Sequence, residues 1–114
     1  MAFQFQKLFL PQQLPAAVAT VIFTMPTAPT TSILKNGRVR LTNTTGAPVS
    51  ATMYADVAAD ASGADNCFLN AKSIAGNDFL DVDIPTMAAG DTLRAFASAA
   101  SSITVHEVGG VITS

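Results

Sequence analysis

The chain has 114 residues and a formal net charge of -2, with 12% charged and 49% hydrophobic residues. That length suits one domain with a thin core. The six scattered cations give no basic face of the kind that releases counterions from a nucleic acid, so direct nucleic-acid binding is not expected. The low charge has two readings: a surface partly covered by a partner, or polarity supplied by Ser, Thr, Asn and Gln.

The N-terminal segment carries Phe3, Phe5, Phe9 and Leu10. These residues either pack into the core or anchor the segment to a partner. Leu14 to Met25 is apolar, but Pro11 and Pro15 flank and interrupt it, unlike the uninterrupted apolar stretch of a signal peptide. It is also shorter than the roughly 20 apolar residues that cross a bilayer, so no membrane association is expected. Strands are expected at 3–9 and 17–25. Pro26-Thr27-Ala28-Pro29 then reads as a stiff, extended linker.

Asn36-Gly37 is a strong hairpin signal, because a type I′ turn needs positive φ at both central residues. It is expected to separate a strand at 32–35 from one at 38–43. Thr45-Gly46-Ala47-Pro48 turns the chain again. From Val49 to Val57 every odd residue is apolar, which puts Val49, Ala51, Met53, Ala55 and Val57 on one face of a strand at 49–57. Residues 58–74 show no clean period and read as a long loop or a helical turn. Strands at 79–84 and 92–99 follow the turns Ala75-Gly76-Asn77-Asp78 and Ala89-Gly90-Asp91, with Phe96 an outward or inter-sheet exception. The last are 103–108 and a short one at 110–113.

Short alternating strands separated by turns describe an all-β fold. The expectation is a β-sandwich or jelly-roll-like single domain of about eight short strands, with residues 1–30 forming an extended N-terminal arm with the first strands, contributing to assembly, and 31–114 forming the body. Ala51, Ala55, Ala95, Ala97 and Ala99 bury little area each, which permits close sheet packing but contributes less than Val or Leu would.

Chemistry-bearing residues are sparse. Cys67 is the one cysteine, so no intrachain disulfide forms, and it reads as a buried inert thiol rather than a reactive one. His106, the one histidine, lies on an expected strand without a nucleophile-elbow motif. Asp81 and Asp83 share a strand face, with Asp78 nearby, while Asp56, Asp60 and Asp65 bracket a loop. Neither group resembles a calcium loop, which curls round its ion, and solvated acidic faces are the expected role. With no Trp and a single tyrosine, Tyr54, sugar-binding platforms are few. No catalytic residue, cofactor or metal is therefore expected, and an enzyme is not expected. Phe3, Phe5, Phe9 and Leu10 are the expected partner-binding residues.

Thr31-Ser32-Ile33-Leu34-Lys35-Asn36-Gly37-Arg38-Val39-Arg40-Leu41-Thr42-Asn43-Thr44-Thr45-Gly46, Leu69-Asn70-Ala71-Lys72-Ser73-Ile74-Ala75-Gly76 and Met87-Ala88-Ala89-Gly90-Asp91-Thr92-Leu93-Arg94-Ala95 together resemble small virion structural proteins of tailed bacteriophages. The resemblance covers roughly residues 31–105 and lies in a pattern of strands and turns. It implies a β-sandwich or jelly-roll particle subunit. The first functional expectation is a capsid decoration (cement) protein that binds neighbouring copies of the major capsid protein and itself forms homo-oligomers, located in the virion after assembly in the host cytoplasm. The alternative is a tail or fibre accessory module that binds a host receptor or glycan.

Overall fold

Period-two alternation becomes strand after strand in a computed structural model, which describes the backbone of Phe3–Gln4 and residues 9–27, 31–58 and 62–113. The strands are β1 (Phe3–Gln4), β2 (Gln12–Gln13), β3 (Thr20–Thr24), β4 (Ile33–Asn43), β5 (Val49–Asp56), β6 (Cys67–Ile74), β7 (Phe79–Asp83), β8 (Met87–Ala88), β9 (Thr92–Ala97) and β10 (Ile103–Thr113). No helix occurs among the described residues.

Two antiparallel sheets form. In the first the order is β1-β10-β4-β7, with β2 also on β10 and β8 also on β4; in the second it is β3-β9-β5-β6. The pairings nest. β5 pairs with β6, β4 with β7, β3 with β9, and the first strands β1 and β2 with the last, β10. This is one long hairpin rolled over on itself, so that alternate pairs fall in opposite layers. The fold is thus an all-β sandwich with jelly-roll topology. Both layers turn an apolar face inward, and rolling buries the two faces against each other.

The 32–35 and 38–43 strands are not a hairpin. They form the single eleven-residue strand β4. Asn36 does take positive φ, at 56°, as a type I′ turn would require. Yet β4 is paired along both sides, to β10 and to β7 with β8, and these long-range ladders override the local turn preference. Gly37 serves packing instead. A Cβ there would lie 3.2 Å from Leu34 Cδ2 and from Ile84 Cβ, and its carbonyl accepts a 2.8 Å bond from Ile84 N–H.

Asn36-Gly37 is one half of a matched irregularity. Between Val39 and Arg38, β10 advances from Glu107 to Gly109, gaining a residue; between Arg38 and Lys35 it advances only from Gly109 to Val111, and β4 regains it. The two bulges cancel, so Ile103↔Asn43 and Thr113↔Ile33 lie in one register. Each strand exchanges its buried parity at the bulge: Val39 and Leu41 are buried on one side of it and Leu34 on the other, as are Ile103 and Val105 against Ile112. A lone bulge would have turned one apolar set outward. The expected strands at 103–108 and 110–113 are, for the same reason, one strand.

The large core residues of the first sheet, Leu34, Val39, Leu41, Ile103 and Val105, meet a second sheet in which Ala51, Ala95 and Ala97 are fully buried beside Met53 and Leu93. Large and small side chains interdigitate across the layers. Val49, Ala51 and Met53 are buried as the alternation predicts, whereas Val57, beyond the strand end, is exposed. Residues 58–74, expected as a loop or helical turn, contain the edge strand β6 from Cys67 onward. Its period is obscured because Asn70 to Ser73 are exposed without alternation, and Ala71 has positive φ, at 48°, next to a break in the register with β5.

One buried polar residue organises the corner between the sheets. Asn43 is fully buried. It donates from Nδ2 to Ala47 O and Ile74 O, and its Oδ1 accepts from Thr45 N–H and Thr45 Oγ1. All four valences of the amide are thereby used. The neighbouring turn brings Gly76 so close to the Gly46 backbone that a Cβ could not be accommodated.

Candidate functional site

The N-terminal residues expected to anchor a partner are distributed differently from one another. Phe5 lies outside the described residues, and for Phe3 only the backbone is described, as β1 beside Thr113 of β10. Phe9 is half-buried, packs against the core, and sets its ring 6.3 Å from that of Phe23 on β3. Leu10, the next residue, is 72% exposed. From there the chain joins the sandwich. β2 pairs with β10, Leu14 is buried with its N–H bonded to Ile103 O, and Ala97 N–H bonds Pro15 O. Residues 15–24 therefore run along the open side of β9 and end in β3, with Ile22 and Met25 buried beneath. Val18 and Val21 point to solvent, 67% and 42% exposed. Composition offers a signal for this rim: no charged residue occurs between Lys7 and Lys35.

The opposite side of the molecule is charged. Across β4 and β7, Arg38 faces Asp83 and Arg40 faces Asp81 in the ladder. Arg38 Nε donates to Asp83 at 2.9 Å; Arg40 grips Asp81 through Nε at 2.8 Å and Nη2 at 3.1 Å, a two-point contact. The Arg40 guanidinium also lies 4.2 Å from the centroid of the exposed Phe79 ring. The hydrogen bond from Arg40 holds the Asp81 carboxyl below the usual carboxylate range, and that to Asp83 raises Arg38. The Asp81 and Asp83 face is thus acidic but neutralised by its neighbouring strand. At the bulge, Asn36 to Arg38, Asp83 to Thr86 and Val108 with Gly109 surround a shallow concavity of about 610 Å³.

Asp56 is fully buried at the end of β5. Its Oδ2 accepts from Ser62 Oγ at 2.7 Å and lies 3.5 Å from Arg94 Nε, while Oδ1 and Arg94 Nε make no hydrogen bond. Ser62 is thereby tied to the end of β5, and in the same sheet Tyr54 stacks on Phe96. Asp65 is exposed, and Asp60 lies outside the described residues. Asp91 acts as a clasp, accepting Ala58 N–H and Ala88 N–H on its two oxygens.

The single histidine and cysteine stand apart. His106 is exposed on β10 opposite Arg40. Cys67 is half-buried, with its Sγ 3.4 Å from Leu69 O, beside a depression of about 350 Å³ that Tyr54, Ala64 and Asn70 also line. Among the described residues no three His, Cys, Asp or Glu side chains come together to hold a metal ion. The arrangement presents surfaces: a charged outer face with a shallow concavity, and an uncharged rim at β3 bordered by Phe9 and Leu10. Comparison with protein-family models, with curated proteins and with solved structures finds no match for this chain.

Proposed function

We propose that this protein is a virion structural protein of a tailed bacteriophage, a decoration protein that stabilises the head by binding neighbouring copies of the major capsid protein. The observation that carries the reading is the nested jelly-roll pairing of first strands with last, an architecture that recurs in viral capsid domains. This fold-level analogy joins the strand-and-turn resemblance over residues 31–105. A cement protein needs no chemistry. It adds buried area between subunits, and contacts of that kind come from sheet edges and exposed apolar side chains. Leu10, Val18 and Val21 supply such side chains on one rim.

Cryo-electron microscopy of purified particles tests this. The expected result is a copy number that follows the capsid lattice, with density on the outer shell. A few copies at a single vertex would transfer the protein to the tail, where a receptor- or glycan-binding module becomes the better reading. Absence from purified particles would overturn both.

A further inference from the structure

We infer that the depression beside Tyr54, on the second sheet, is a binding site for a neutral sugar, the pyranose ring at the end of a glycan. It arises from the way β6 departs from its partner strand. From Ala51 to Tyr54, β5 advances three residues while β6 runs five, from Lys72 back to Cys67. The two extra residues bend β6 relative to β5. Ala71 sits in the bend with positive φ, at 48°, and its N–H donates to Thr52 Oγ1 at 3.0 Å. Residues 67 and 70 would face opposite sides of a regular strand. Here Cys67 and Asn70 line one depression of about 350 Å³ with Tyr54 and Ala64. The turn that carries Ala64 is tied to both strands, because Asn66 O accepts from Ala55 N–H and Ala64 O from Cys67 N–H. Bulges often re-aim side chains beside binding sites, and a non-glycine residue held at positive φ points the same way.

The lining has the chemistry of an uncharged ring ligand. Tyr54 gives an aromatic ring, already stacked on Phe96 with centroids 6.4 Å apart and planes at 29°. A ring oriented in advance loses little freedom on binding. Asn70 is exposed, and its amide both donates and accepts, as does the Tyr54 hydroxyl. Among the described residues no charged side chain lines the depression. Arg94, the ladder neighbour of Tyr54 on β9, lies 3.5 Å from the buried Asp56 carboxylate. A pyranose matches this set. Its C–H face stacks on an aromatic ring, and its rim of hydroxyls needs partners that both donate and accept. A nucleotide would find no cation in the described lining to meet its phosphate. The larger concavity at the β4 bulge fits a sugar less well, since its described lining holds no aromatic ring and includes the Arg38–Asp83 ion pair.

Tyr54 is the one tyrosine of a chain without tryptophan, and Cys67 is its one cysteine. The unaltered protein therefore carries two reporters in the site. Methyl glycosides of glucose, galactose, mannose and N-acetylglucosamine are titrated against tyrosine fluorescence and against the rate of Cys67 alkylation by iodoacetamide. At least one should change both signals saturably, with a common midpoint at about millimolar concentration. Asn70→Ala and, separately, Ala64→Arg, both at exposed positions, should keep the circular dichroism spectrum and raise that midpoint at least about tenfold. Lys72→Glu, on the same strand but outside the depression, should leave it unchanged. No response to any glycoside up to about 100 mM overturns the inference. So does a response to adenosine monophosphate or inorganic phosphate alone, or sugar binding that neither substitution weakens. Sugar binding by a chain absent from purified particles would overturn only the virion reading; a particle-bound chain that binds no glycoside would overturn this inference alone.

Discussion

The edges β3 and β7 sit at the ends of different sheets and manage the same liability in opposite ways. On β7 the outward side chains are Phe79, Asp81 and Asp83, and each of the two carboxylates is held by an arginine of the adjacent strand. Another strand docking there would have to bury those carboxylates or break their ion pairs, and either is costly. On β3 the outward side chains are Val and Thr, and the nearest charge in sequence is on Lys7 or Lys35. The difference teaches that low overall charge need not be spread evenly. Here β3 itself carries no charge while β7 carries two carboxylates, although Arg94 of β9 stands opposite Val21 in the ladder.

A core substitution breaks the comparison by acting on both edges alike. Leu41 is fully buried at the centre of the first sheet, and Leu41→Ala should cost about 2–5 kcal/mol in urea unfolding. A loss below about 1 kcal/mol would contradict the tight inter-sheet packing described above. Asn43→Ala should cost less, about 1–3 kcal/mol, through the orphaned Ala47 and Ile74 carbonyls. It should also separate the edges, because one of the orphaned carbonyls is that of Ile74, beside the turn that leads into β7. Amide exchange is expected to accelerate in 74–80 and to remain unchanged in β3; equal acceleration would show that the corner is not local.

Val21→Lys should change stability by no more than about 0.5 kcal/mol, as surface substitutions generally do. A large loss would mean that Val21 belongs to the core of its own subunit. The smallest effect is expected at the guarded edge. Since the Arg40 hydrogen bond lowers the Asp81 pKa in the folded state, its contribution is present above the ordinary carboxylate range and disappears as pH falls through the lowered value. Asp81→Asn should therefore flatten the acid side of the stability–pH curve slightly, an effect reduced further by salt. An unaltered curve would show that the exposed ion pair contributes nothing to folding.

Much of the fold was legible from local pattern. Val49, Ala51 and Met53 are buried as their alternation predicts, the 79–84 and 92–99 strands and the turns before them appear, and Ala51, Ala95 and Ala97 of the expected alanines are fully buried. The Asn36-Gly37 hairpin failed for a reason that lies elsewhere in the chain. Val108 to Gly110 supply a matching bulge that lets β4 continue, and no local reading of residues 32–43 contains that information. β6 was missed because an edge strand buries neither face fully and loses its period. Of the expected anchors, Leu10 is exposed but Phe9 is turned inward against Phe23, and the exposed rim is built from Val18 and Val21 instead. Which apolar residues remain outside depends on what covers them, and neighbours distant in sequence decide that.

By itself the sequence determined the all-β class, the strand faces, the scarcity of charge and the absence of a disulfide framework. These follow from side-chain alternation and composition, which are properties of each segment alone. Only the tertiary structure decided the nesting of first strands with last, the cancelling bulges, and the pairing of Arg38 and Arg40 with Asp83 and Asp81. Each depends on ladder register between residues tens of positions apart, and register is set where two sheets must bury their apolar faces together.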